Sequence, residues 1–210
     1  MNNPFNRTVI VADGSFPGHA IPLRYIKNAS RIICCDGSTM NVLNAGYVPD
    51  AIVGDMDSIN EEVAFKFADR IYTIEEQDTN DLTKAVRWCT SKGYNDLVIT
   101  GATGKREDHT IGNISLLAEY VTTVKVMMIT DTGFFIPVNS SSTLPSFPGQ
   151  QVSIFSIDCD TEITSRGLKY PLNQSRLNNW WQATLNESLS ENFYIEINNG
   201  RLIIYLKFEG

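Results

Sequence analysis

Short apolar runs rich in β-branched residues alternate with helix-like segments through the first two thirds of the chain, the pattern of βα units around a largely parallel sheet. The runs predict strands at Thr8 to Ala12, Arg31 to Cys34, Ala51 to Val53, Arg70 to Ile74, Leu97 to Thr100 and Val124 to Ile129. They are continuously apolar rather than alternating, as strands covered on both faces are. Between them, Ala20 to Asn28, Thr39 to Ala45, Glu61 to Ala68, Asp81 to Ser91 and Thr110 to Val121 predict helices. Asn60 reads as an N-cap ahead of Glu61 and Glu62, where the helix dipole favours acid.

The pattern changes near Pro137. The stretch VNSSSTLPSFPGQ is rich in Ser, Pro and Gly, and the helical period does not resume after it. Beyond it QVSIFSI, TEITS, LKYPL, FYIEIN and RLIIYLKF predict short strands, several of them alternating, with a turn signal at Asn198-Asn199-Gly200. The expected architecture is an α/β N-terminal domain with a mostly parallel sheet over residues 1–138, followed by a small all-β, sandwich-like C-terminal domain over residues 139–210. A β unit of roughly 70 residues is marginal by itself, so it is expected to pack on the first domain or on a second subunit.

Composition narrows the function. The 210 residues are 42% hydrophobic and carry a formal net charge of -7, so no global positive field is available to hold a nucleic-acid backbone. ATP is still admissible, because backbone amides and metal ions bind phosphates inside acidic proteins. Cys34, Cys35, Cys89 and Cys159 have neither CxxC spacing nor the density of a disulfide scaffold, and His19 with His109 supplies a zinc site poorly. The opening MNNPFNRTVIVADG does not read as a leader, and no apolar stretch approaches bilayer length. A cytoplasmic protein without a membrane anchor is expected.

The acids fall where ligands bind in an open parallel sheet, beyond the carboxyl ends of the strands. Asp13 follows the first predicted strand, Asp36 the second, Asp55 and Asp57 the third, and Asp78 and Asp81 the fourth. A rim of carboxylates from separate loops suits Mg²⁺, which takes hard oxygen ligands and bridges them to substrate phosphates. GDMDS over 54–58 by itself reads equally as a turn in which Asp caps a helix. In EQDTNDLTK over 76–84, Asp78, Asp81 and Lys84 share a face if the helix includes all of them; a cap and a surface ion pair would also account for them. TGATGKREDH over 100–109 joins a strand to a helix, and there Gly101 and Gly104 can turn N–H groups toward phosphate while Lys105 and Arg106 add charge. It is not a P-loop, since GxxxxGK[ST] is absent.

Taken in order, CDGS, GDMDS, QDTNDLTKA and TGATGKREDH resemble the thiamine pyrophosphokinase family, and GLKY over 167–170 is similar to a later family motif. The likeness runs from Asp36 to about Asn186. It implies an ATP-binding α/β domain, a thiamine-binding β-sandwich, a homodimer, and transfer of diphosphate from ATP to the thiamine hydroxyl with Mg²⁺ as cofactor. Carried over by position, it implies catalytic roles for Asp55, Asp57, Asp81, Lys84 and Asp108, with Asp55, Asp57 and Asp81 on the metal. ATP contacts would come from Asp36, Gln77, Asp78, Thr103, Gly104 and Arg106, and thiamine contacts from Tyr170, Thr184 and Asn186. The chain departs from the family pattern at Ser38, Asn80, Lys105 and Leu185. A diphosphokinase acting on a pterin alcohol and a non-catalytic thiamine or nucleotide binder are the alternatives.

Overall fold

The computed structural model describes residues 5–209, in two compact units. The first runs to Leu116 and takes back Val124–Asp131. Its strands are β1 (Thr8–Val11), β2 (Arg31–Cys35), β3 (Ala51–Gly54), β4 (Ile71–Thr73), β5 (Asp96–Thr100) and β6 (Lys125–Ile129). The helices between them are α1 (Ala20–Lys27), α2 (Thr39–Asn44), α3 (Glu61–Lys66), α4 (Asp81–Ser91) and α5 (Glu107–Tyr120), the last turn of α5 being grouped with the second unit. All pairings among these strands are parallel, in the order β6-β5-β1-β2-β3-β4. Val9, Ile10, Ile33, Ile52, Val53, Leu97, Val98 and Ile99 are fully buried, as continuous apolar runs in a sheet covered on both faces require.

Strand order reverses at β1, which lies between β2 and β5. The loops leaving β1 and β5 therefore depart toward opposite faces and open a crevice between them, the position at which such sheets bind ligands. α3 begins as expected, with the Asn60 side chain accepting the Glu62 N–H at 2.8 Å. α4 covers the predicted range and is capped by Asn80, whose side chain accepts the Thr83 N–H at 2.9 Å. α5 begins at Glu107, three residues before the predicted start, so Asp108 and His109 lie in its first turn.

The second unit comprises 117–123 and 132 onward. It contains β7 (Gly133–Val138), β8 (Ser142–Pro145), β9 (Gln151–Ser156), β10 (Ile163–Arg166), β11 (Asn186–Glu187), β12 (Asn192–Ile197) and β13 (Leu202–Lys207). One layer runs β11-β9-β13-β7 and the other β10-β12-β8, all antiparallel. Val152, Ile154, Leu202, Ile204 and Leu206 from the first layer meet Ile163, Phe193, Ile195 and Ile197 from the second in one apolar core, a sandwich. LKYPL is not a regular strand; Leu168 instead makes a lone bridge to Ser188 and fills the core. No helix among the described residues is long and apolar enough to cross a membrane.

Candidate active site

Three carboxylates meet where β2, β3 and the start of α4 end on one rim. Asp36, Asp55 and Asp81 offer ligand oxygens that all lie within 4.8 Å of one another. Asp36 is 3% exposed and sits in a short 3₁₀ turn directly after β2. Its Oδ1 accepts the Gly37 N–H at 2.7 Å and its Oδ2 the Ser58 N–H at 3.5 Å. Burial pushes its pKa up, against the Gly37 N–H and with the help of the Asp81 charge. Gly54 makes room for it: a Cβ there would fall 2.8 Å from Asp36 Cγ.

Asp55 is held from several sides. Its Oδ1 accepts the Asp57 N–H at 3.2 Å, while its Oδ2 takes Lys84 Nζ at 3.2 Å and Gln77 Nε2 at 3.4 Å. The Asp57 N–H first, and then Lys84, hold the Asp55 pKa below the ordinary carboxylate value. Asp81 Oδ1 accepts from Lys84 at 3.0 Å. Lys84 is 2% exposed; burial pulls its pKa down, but its hydrogen bonds to Asp81 and Asp55 outweigh that and raise it.

Three predicted rim residues lie outside this group, the first being Asp13, which pairs with Lys105 instead. Met56 takes a left-handed φ of 72°, and beyond that turn the Asp57 carboxyl is exposed rather than clustered. Asp78 precedes α4 instead of sharing its face with Asp81 and Lys84; it is exposed, and its N–H goes to Glu76 Oε2 at 3.0 Å.

The crevice beside β1 and β5 is a cleft of about 330 Å³, to which Asp81, Thr103, Lys105, Arg106, His109 and Asn113 contribute. Its two loops interlock. Gly14 N–H donates to Gly101 O at 2.5 Å and Ser15 N–H to Thr103 O at 2.8 Å, while Ser15 Oγ bonds Gly104 O at 2.9 Å. Gly101 and Gly104 both have positive φ, 66° and 88°, which this tight loop needs and most side chains resist. Lys105 Nζ reaches Asp13 Oδ1 at 2.9 Å. Arg106 grips Asp108 through two bonds of 3.0 and 2.5 Å, and this pairing lowers the Asp108 pKa to about 2.

Sequence reading overlooked Asn113 and Gly14. Asn113 Oδ1 accepts from Asn80 Nδ2 at 3.1 Å and its Nδ2 donates to Ala102 O at 2.9 Å, tying the cap of α4 to the glycine loop. Its spacing of four from His109 on a helix was the available signal.

The residues proposed for the second substrate lie in the sandwich. Tyr170 is 61% exposed, and its backbone N–H and C=O both bond the Asn186 amide, at 3.1 and 2.7 Å. Asn186 is itself 4% exposed and also accepts the Glu187 N–H at 2.9 Å. Thr184 Oγ1 closes a turn on Trp181 O at 2.8 Å. Leu185, between them, has a φ of 60° and is 77% exposed.

Two family models match successive parts of the chain. Residues 23–129 match the family model described as thiamin pyrophosphokinase, catalytic domain, and residues 133–205 the one described as thiamin pyrophosphokinase, substrate-binding domain. A thiamine pyrophosphokinase from Bacillus subtilis is 32% identical over 188 residues, spanning 80% of this chain and 82% of that protein. Thiamine pyrophosphokinase 1 from Oryza sativa is 26% identical over 200 residues, spanning 80% of this chain and 75% of that protein. The crystal structure of the thiamine pyrophosphokinase from Bacillus subtilis superposes with a TM-score of 0.79 at 25% identity, covering 97% of this chain and 100% of the other. The thiamin pyrophosphokinase from Candida albicans has the same fold, with a TM-score of 0.79 at 17% identity, over 100% of this chain and 95% of that one.

Proposed function

The chain belongs to the thiamin pyrophosphokinase family, and from that premise we propose that it transfers diphosphate from ATP to the hydroxyl of thiamine, giving thiamine diphosphate and AMP. The observation that carries this proposal is the convergence of Asp36, Asp55 and Asp81 beside a cleft that also receives Lys105 and Arg106. Oxygen ligands from three carboxylates fit Mg²⁺ in kind, and the Cys35 thiol, which also lines the cleft, competes poorly because it is buried and its pKa is pushed well up. Bound there, Mg²⁺ would neutralise phosphate charge and align the transferring group.

The chain's own residues supply the rest. Asp36, Asp55 and Asp81 would hold the ion, and Asp57 supports Asp55 through its N–H. Gln77 fixes Asp55, and Asp78 stands at the entrance to α4. Thr103 and Gly104 shape the loop on which Lys105 and Arg106 meet phosphate oxygens. Asp108, acidic at about 2, is a weak base; its role is to aim Arg106, which exchanges a carboxylate for phosphate when ATP binds. Tyr170 offers an exposed ring to the thiamine cation, with Asn186 and Thr184 shaping the loops around it. Exposed Tyr170, Trp181, Leu185 and Leu189 favour a homodimer through the sandwich. The reduced, buried Cys34, Cys35 and Cys89 suit the cytoplasm.

The test is incubation with Mg²⁺, ATP and thiamine, followed by resolution of the nucleotides. Thiamine-dependent AMP together with thiamine diphosphate supports the proposal. ADP alone, or turnover with a pterin alcohol and none with thiamine, refutes it.

A further inference from the structure

Lys84 is built into the carboxylate cluster rather than extended toward a substrate. Its ammonium stands 3.2 Å from Asp55 Oδ2 and 3.0 Å from Asp81 Oδ1, and its side chain is 2% exposed. It leaves from the buried face of α4, together with Leu82, Ala85 and Val86, so it cannot swing out without unpacking that helix. Asp36 has different partners, the N–H groups of Gly37 and Ser58. When ionised, the three carboxylates carry three negative charges against one fixed positive charge. One divalent cation brings this group to neutrality; two would leave it doubly positive inside a partly buried site, which is costly. A second ion sharing Asp55 and Asp81 would also compete with Lys84 for Asp55 Oδ2 and Asp81 Oδ1, leaving one oxygen of each carboxylate to the first ion.

Resting on the metal assignment above, we infer that Lys84 takes the place of a second divalent ion and limits the protein's own metal site to one. The residue is thus a resident counter-cation, holding Asp55 and Asp81 in position before the ion arrives.

The experiment is titration of the whole chain with Mn²⁺ in the absence of nucleotide, read by the electron paramagnetic resonance of free Mn²⁺ and by calorimetry. The parent should bind one ion. Lys84→Met should bind two, the first at least about tenfold more tightly because a neighbouring positive charge is gone. Lys84→Arg, which keeps the charge, should bind one. A single ion in Lys84→Met, or two in the parent or in Lys84→Arg, overturns the inference and leaves the diphosphate-transfer proposal standing. A parent that takes no Mn²⁺ overturns the metal assignment and this inference together, whereas failure to form AMP in an enzyme that binds one ion touches only the reaction. If Lys84→Met is unfolded without metal, saturating Mn²⁺ should refold it, as read by circular dichroism, by supplying the missing charge. A chain that stays unfolded under that condition also overturns the inference.

Discussion

A single methyl group added at Gly14 tests whether the cleft is made by the packing of two loops. A Cβ at Gly14 falls 2.5 Å from both Gly101 O and Thr103 O and 2.8 Å from Thr103 N, all backbone atoms that cannot rotate aside. Ordinary contact at about 3.5 Å requires the loops to part by about 1 Å. That separation breaks or lengthens the Gly14–Gly101 and Ser15–Thr103 hydrogen bonds, now 2.5 and 2.8 Å. Overpacking of this kind costs about 1–3 kcal/mol, and the two bonds, partly replaced by water, add about 1 kcal/mol. Gly14→Ala should therefore lose about 2–4 kcal/mol, which for a chain of this length lowers the melting temperature by roughly 5–15 °C. Because the displaced loop carries Lys105 and Arg106, the KM for ATP should rise about tenfold or more. Gly112→Ala is the control: inside α5 its Cβ meets nothing within 4 Å, so helix propensity alone acts and the variant gains about 0.5–1 kcal/mol. Differential scanning fluorimetry and AMP formation read both variants. If Gly14→Ala melts within about 1 °C of the parent with an unchanged KM for ATP, the loops do not hold each other as described.

Asp36 also makes the site sensitive to pH. Its folded pKa lies above the unfolded value, so the folded, metal-free chain holds a proton the unfolded chain releases, and stability falls as pH rises from the ordinary carboxylate value through the raised one. Divalent-ion affinity runs the other way, weakening as pH falls through the same window; Asp36→Asn should raise the metal-free melting temperature while removing that pH dependence from Mn²⁺ titrations. Asp55→Asn and Asp81→Asn should each cut transfer by about a thousandfold or more, and Asp57→Asn by less, as compared by AMP formation at saturating ATP. Asn113→Ala, which releases both Asn80 and Ala102, should cost about 1–2 kcal/mol and raise the KM for ATP more than it lowers kcat. Asn186→Ala removes three hydrogen bonds from a buried amide, so about 2–4 kcal/mol should be lost and the KM for thiamine should rise with that for ATP unchanged.

Local pattern carried the strands and helices of the first unit, because the central strands β1, β3 and β5 are runs buried on both faces and α3 is capped by the residue written just ahead of it, although β4 is short and exposed. Asn60 ahead of Glu61 and Glu62 is legible without any partner elsewhere in the chain. The sandwich was legible less completely. GFFIPV forms β7 although Pro137 reads as punctuation, since its place opposite Ile203 on β13 is set by a segment about 65 residues away. LKYPL alternates like a strand, yet Leu168 finds only a lone bridge and serves the core instead.

For the site, the order of residues along the chain determined which groups would stand on the rim, because every βα turn of a parallel sheet delivers its first residues to the same edge. Asp36 and Asp55, directly after β2 and β3, and the glycine loop after β5 followed from that rule, while Asp81 reaches the rim from the start of α4 across a longer loop. Which of them meet was decided only by the tertiary structure. The left-handed turn at Met56 sends Asp57 outward, the start of α4 at Asp81 leaves Asp78 behind, and Lys84 lies buried against Asp55 and Asp81. Sequence spacing specifies a face and an end; direction, burial and charge balance arise from atoms brought together from distant segments, and those determine which carboxylates can share an ion.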